Sequence, residues 1–194
     1  MPNEPPNLSI ANDLRARRDT EEHLTPGEIF RPLTIALFGS DSPKKHYEEL
    51  FRALRSIGYN RQLSFLVYGH PTIYFASIQA MFPDFQITLV SSSSTTLEQF
   101  LNTVVSVAEH EGFGRPIALA LAAGIPCFLL TCTVFSEFFG KSATLFATLP
   151  NIVNAINTFP RNDLHLPVFY EYADLSASFE NATKFLNMLA ENVK

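Results

Sequence analysis

From residue 33 onward, short unbroken apolar runs alternate with segments whose apolar residues recur at helical spacing, and that alternation leaves few folds open. The run LTIALF (33–38) is apolar almost throughout and stops at Gly39, as suits a strand buried on both faces. Beyond Ser42 and Pro43, Tyr47, Leu50, Phe51, Leu54 and Ile57 fall on one face of a helix, which Gly58 ends. The pattern repeats with a strand over 63–68, a helix over 71–81 and a strand over 85–90. A Ser/Thr cluster at 91–96 leads into a helix built on Leu97, Phe100 and Leu101; a strand over 104–108, a helix over 116–123 and a strand over 125–131 follow. Residues 145–149 suit a sixth strand and 151–157 a helix, while Leu175, Phe179, Ala182, Leu186 and Leu189 mark a closing amphipathic helix capped by Ser176 or Ser178. This order implies an α/β fold: a single doubly wound parallel sheet with right-handed crossovers. Such sheets bind ligands beyond the carboxyl ends of their strands, where the strand order reverses.

A length of 194 residues fits one domain plus a tail. Residues 1–30 read as a polar tail or linker and 31–194 as the folded domain. The tail has no apolar segment and carries Glu4 early, unlike a secretory leader. Residues 116–136 lack charge over about the span of a bilayer, but Gly124, Ile125 and Pro126 interrupt them. They read as helix, turn and buried strand, so no membrane span is expected. A net charge of −5 provides no basic field for a phosphate backbone and argues against nucleic acid as a partner. Cys127 and Cys132 would point to opposite faces of one strand, so reduced thiols and a cytoplasmic location are expected.

Two helix starts are suited to an anion. In GSDSPKK (39–45), Ser42 is a good N-cap and Pro43 a good first residue, which puts Lys44, Lys45 and His46 in the opening turn. Cations there oppose the helix dipole; they are either solvated or offset by an anion bound at the free N–H groups. In EHEGFGRP (109–116), Gly112 and Gly114 permit a sharp turn and close approach of a ligand, Pro116 starts the helix, and Arg115 adds a cation. Neither the dinucleotide fingerprint nor the P-loop pattern occurs. A single His110 between Glu109 and Glu111 supports a metal site only weakly, and no metal or other cofactor is expected. Glu111, at the end of its strand, is well placed to accept hydrogen bonds from ligand hydroxyls.

The segment EHEGFGRPIALALAAGIPCFLL (109–130) resembles the hallmark of the retaining GT-B glycosyltransferases of group 1, or family 4, type. Nine positions match in register: Glu111, Gly112, Phe113, Gly114, Pro116, Ala120, Ala122, Gly124 and Pro126. FGSDSPKKHYEELFRAL resembles that family's diphosphate-flanking segment through Gly39 and Lys45. The resemblance runs from Leu33 to about Leu189 and corresponds to the C-terminal, Rossmann-like half that binds the nucleotide sugar. It implies a nucleotide-sugar-dependent retaining hexosyltransferase in which Lys45 contacts the diphosphate and Glu111 the sugar hydroxyls, the two residues closest to catalysis. Gly39, Ser40, Gly112, Phe113, Gly114 and Arg115 complete the implied donor-binding set. Two positions depart from the family pattern: Ser40 stands where an Arg is expected, and Leu119 replaces the second Glu of E-x7-E, which holds the ribose.

In this family the acceptor site comes from a separate N-terminal Rossmann-like domain, which residues 1–32 are too few to form. The resemblance therefore implies a donor-binding chain completed by an acceptor domain or subunit. The alternative is an inactive GT-B half serving as a protein interaction module, motivated by Ser40, Leu119 and the run Phe135, Phe138 and Phe139. Those phenylalanines either cover a partner surface or fill the core, the latter being the reading their type favours.

Overall fold

The computed structural model describes residues 32–59, 62–91 and 101–159. Six strands form one all-parallel sheet: β1 (Leu33–Phe38), β2 (Leu63–Gly69), β3 (Gln86–Ser91), β4 (Thr103–Ser106), β5 (Cys127–Leu130) and β6 (Thr144–Phe146). Their order is β3-β2-β1-β4-β5-β6, the doubly wound arrangement expected from the sequence. Between them lie α1 (Tyr47–Ile57), α2 (Ile73–Met81), α3 (Arg115–Ala122) and α4 (Thr133–Phe139), and α5 (Leu149–Asn157) follows β6.

Side chains alternate across β1 and feed two cores. Leu33, Ile35 and Leu37 join Phe51 of α1, Phe75 and Ile78 of α2, and Ile152, Val153 and Ile156 of α5 on one face. Ala36 joins Ile117 and Leu121 of α3 and Phe135 and Phe139 of α4 on the other. Phe51 meets Phe65 edge-on at 4.9 Å and also contacts Phe82 and Phe85. Each such buried ring contributes about 1.5–3 kcal/mol through its removal from water. Both faces of the central strands are covered, which is why their sequences read as continuous apolar runs rather than alternating ones.

Several element boundaries differ from the sequence expectations. The helix expected after Ser42 is broken: Pro43–Lys45 form a separate 3-10 turn, and His46 takes a left-handed conformation (φ 52°) before α1 starts at Tyr47. Lys44, Lys45 and His46 therefore precede α1 instead of opening it. Leu149, expected in the sixth strand, opens α5, whose start carries Pro150 and suits the fixed φ of proline. Helix α4 was not expected at all; Phe135 and Phe139, one turn apart, are its buried pair. Its seven residues are too few to establish a helical period against the neighbouring apolar strand.

The helix start at Thr72 is set by its side chain, which accepts from the Phe75 N–H. At the end of α3, Gly124 (φ 73°) closes a Schellman turn in which Ile125 N–H donates to Ala120 O and Gly124 N–H to Leu121 O. That turn separates α3 from β5, as the sequence reading required. No helix among the described residues is long and apolar enough to cross a membrane. The tail over 1–30, the helix around Leu97 and the closing helix from Leu175 lie outside the described residues.

Candidate functional site

Strands β1 and β4 are neighbours in the sheet, yet their following helices cover opposite faces, so their carboxyl ends form the switch point. The loop after β1 carries Gly39, Ser40 and Lys45; the loop after β4 carries Glu111 to Gly114 and leads into Arg115 at the start of α3. Topology thus brings together the two segments that the sequence singled out.

An ion pair spans the switch point: Lys45 Nζ lies 2.7 Å from Glu111 Oε2, with 18% and 22% of the two side chains exposed. The other carboxylate oxygen accepts the Gly112 N–H at 3.3 Å. Lys44, its neighbour in sequence, is exposed. The 3-10 turn separates the two lysines: it sends one across the site and leaves the other in solvent.

Gly39 makes this path possible. Its φ of 92° belongs to the left-handed side, and a Cβ there would sit 2.6 Å from Lys45 Cε. The lysine stem therefore lies directly over the glycine. Gly39 N–H donates to Tyr68 O of β2, and Gly39 O accepts the Tyr47 hydroxyl at 2.6 Å, which ties the loop to the sheet on one side and to α1 on the other.

Ser40 is buried and its side chain bonds to the end of β2, not to the ion pair. Its hydroxyl donates to His70 O at 2.5 Å and accepts the His70 N–H at 2.8 Å, while its carbonyl accepts from Thr72 Oγ1. A side chain at Gly69 would overlap Ser40 Oγ. At this position the chain has a staple between the ends of β1 and β2.

On the opposite side, Gly114 is the N-cap of α3 and leaves that helix start without a side-chain cap. A Cβ at Gly114 would come within 3.3 Å of Phe139 Cε2. Phe113 packs edge-on against Phe138 at 4.9 Å and lies 6.0 Å from Phe139. The Phe-rich stretch is thus a buttress under the glycine loop: Phe135 and Phe139 are buried, and Phe138 is half-buried. Arg115, first in α3, is exposed and makes no ion pair among the described residues. Leu119, one turn on, packs against the core on the α3 side of the sheet.

Tyr47 is the residue that sequence reading missed. Its position marked it only as a buried helix residue, which it is, but its hydroxyl reaches into the site loop. Burial pushes its phenol well above the ordinary range, and Tyr74, Glu111 and Asp41 nearby push it further. It therefore remains a hydrogen-bond donor throughout the neutral range. Tyr74, stacked on it with ring centroids 6.3 Å apart, is also raised, mainly by burial. Periodicity supplies no signal for where a hydroxyl points.

Glu109 and His110 are exposed at the end of β4, and no group of three His, Cys, Asp or Glu side chains gathers among the described residues. Cys127 and Cys132 are both free; burial raises the Cys127 thiol far above its usual value.

No protein-family model matches the chain, and no curated protein does. Solved structures do. The C-terminal domain of the group 1 glycosyl transferase LpcC from Francisella tularensis superposes with a TM-score of 0.57 at 16% identity, over 79% of this chain and 89% of that one. Anabaena HepE in complex with UDP-glucose gives 0.60 at 14% identity over 96% of this chain, and TarM gives 0.59 at 17% over 88%. The chain spans 55% of HepE and 36% of TarM. An all-parallel six-stranded sheet that matches most of an isolated C-terminal domain, and only part of the longer chains, has the fold of the C-terminal half of a GT-B glycosyltransferase.

Proposed function

We propose that the chain binds the diphosphate and sugar of a nucleotide-sugar donor at the β1/β4 switch point, as the donor half of a retaining hexosyltransferase. The observation that carries this reading is the Lys45–Glu111 pair, which sets a cation and a carboxylate side by side at the carboxyl edge of the sheet. Lys45 would engage the diphosphate and stabilise the charge that develops as it leaves. Glu111 would accept hydrogen bonds from the sugar hydroxyls. Gly39 and the backbone of Gly112, Phe113 and Gly114 would allow close approach, and Arg115 at the uncapped start of α3 would add a second cation. Ser40 would shape the donor loop through its staple to His70. The reading needs no obligatory metal and takes the acceptor site from a separate domain or subunit. It puts the protein in the cytoplasm, in keeping with two free thiols.

Calorimetric titration with UDP, GDP and their sugars tests this. Saturable binding that Lys45→Ala abolishes is expected; no heat at millimolar donor would overturn the reading.

Two observations favour the second reading, an inactive GT-B half that serves as an interaction module. Ser40, at the position of the family's Arg, is buried and occupied with His70, and Leu119, at the position of the ribose carboxylate, packs on the core. Neither side chain can supply the missing polar contact to a nucleotide. A chain that binds no donor yet co-purifies in a defined stoichiometric complex would establish that alternative.

A further inference from the structure

We infer that Tyr47 is a positioning residue for Lys45, acting through the Gly39 carbonyl. This deepens the proposed donor site and rests on it for its functional consequence, though not for its geometry. Residues 39–47 form a closed loop: the chain leaves β1 at Gly39, passes through the 3-10 turn and the left-handed His46, and returns so that Tyr47 Oη donates to Gly39 O at 2.6 Å. The bond fixes the orientation of the Gly39 peptide. That orientation matters because the aliphatic stem of Lys45 rests where a Gly39 Cβ would be, 2.6 Å from Cε. The glycine backbone is the surface that supports the stem, and the ammonium at its end meets Glu111 at 2.7 Å. Rotation of the Gly39 peptide would tilt that support and move the ammonium along the site.

Tyr47 is held from all sides. It is only 2% exposed, its ring stacks on Tyr74, and Leu50 and Phe51 anchor the same turn of α1 in the core. A donor fixed in this way has little freedom to follow the loop, so the loop conforms to it. The raised phenol keeps the proton in place at neutral pH, and the left-handed His46 is what allows the chain to reverse into α1 within reach of Gly39. Such a residue acts through the Gly39 peptide to determine where one of the charged groups sits.

Lysine side chains labelled with carbon-13 at Cε report the position of Lys45, its resonance being assigned by its loss in Lys45→Arg. In the full chain, Tyr47→Phe is expected to move that resonance toward its value in Glu111→Gln, where the pair cannot form. UDP affinity is expected to fall about threefold to tenfold, the effect of one lost hydrogen bond in a constrained site. Phe51→Leu, a core substitution on the same helix, lowers thermal stability as well and is expected to leave the Lys45 resonance in place. An unchanged resonance in Tyr47→Phe, or an equal shift in Phe51→Leu, would overturn the inference. Failure of the wild-type chain to bind UDP, GDP or their sugars would overturn the donor reading alone, because the resonance comparison still decides the role of Tyr47.

Discussion

Lys45 and Glu111, 66 positions apart in sequence, meet at 2.7 Å because β1 and β4 lie side by side in the sheet. Each side chain remains partly solvated, so the pair contributes little to folding, on the order of 0–1 kcal/mol. Lys45→Ala should therefore leave the urea midpoint nearly unchanged while removing UDP binding. A large loss of stability would show that the pair is structural and would count against its role as a ligand site.

Gly39→Ala should be costly for two reasons that act together, a φ of 92° and a Cβ 2.6 Å from Lys45 Cε. The backbone strain alone amounts to about 1–3 kcal/mol, and the steric conflict displaces the lysine. Urea unfolding should show the first effect and UDP titration the second. A variant as stable as wild type would mean that the turn relaxes freely.

The staple between Ser40 and His70 predicts a coupled pair of substitutions. Gly69→Ala drives a methyl group into Ser40 Oγ and must break both of its hydrogen bonds. Ser40→Gly combined with Gly69→Ala should cost less than the two single changes added together, with a coupling of about 0.5–3 kcal/mol by double-mutant cycle. Strict additivity would show that the contact is not rigid.

Phe135→Ala and Phe139→Ala should each destabilise by about 3–5 kcal/mol, since both rings are buried under the glycine loop. Phe138→Ala, half-buried against Phe113, should cost clearly less. Equal, small effects at all three positions would restore the view that this stretch faces a partner.

Alkaline titration distinguishes the Tyr47 phenol from its ring. Its folded value is raised above 10.0, so the fold favours the protonated form. That contribution is complete below the unfolded value and is lost as the pH rises through the folded one. Stability of wild type relative to Tyr47→Phe should be constant up to about pH 9 and decline above it. A difference independent of pH would mean that the phenol is not buried as described.

Much of the fold was legible because burial on both faces leaves a simple trace. The runs at Leu33, Leu63 and Val104 all became strands, and Gly124 ended α3 where expected. The positions of Gly39, Lys45 and Glu111 in loops at the carboxyl ends of two strands were also legible, since each follows an apolar run closed by glycine or polar residues. The broken start of α1 was not, because Ser42 and Pro43 signal a helix start equally well for a 3-10 turn. Helix α4 was missed because a buried helix of one or two turns and an apolar strand look alike over so short a span.

The alternation of strands and helices, the two loops rich in glycine and cations, and the lack of an arginine after Gly39 and of a carboxylate at Leu119 are all readable along the chain. Which lysine reaches Glu111, the bonding of buried Ser40 to His70 and the bond from the Tyr47 hydroxyl to Gly39 O emerge only once the chain is folded. The physical reason is one of range. Periodicity and turn residues report how each segment meets a face of its own helix or strand. Which groups lie within hydrogen-bond distance depends on strand order, and on peptide orientations that long-range packing sets.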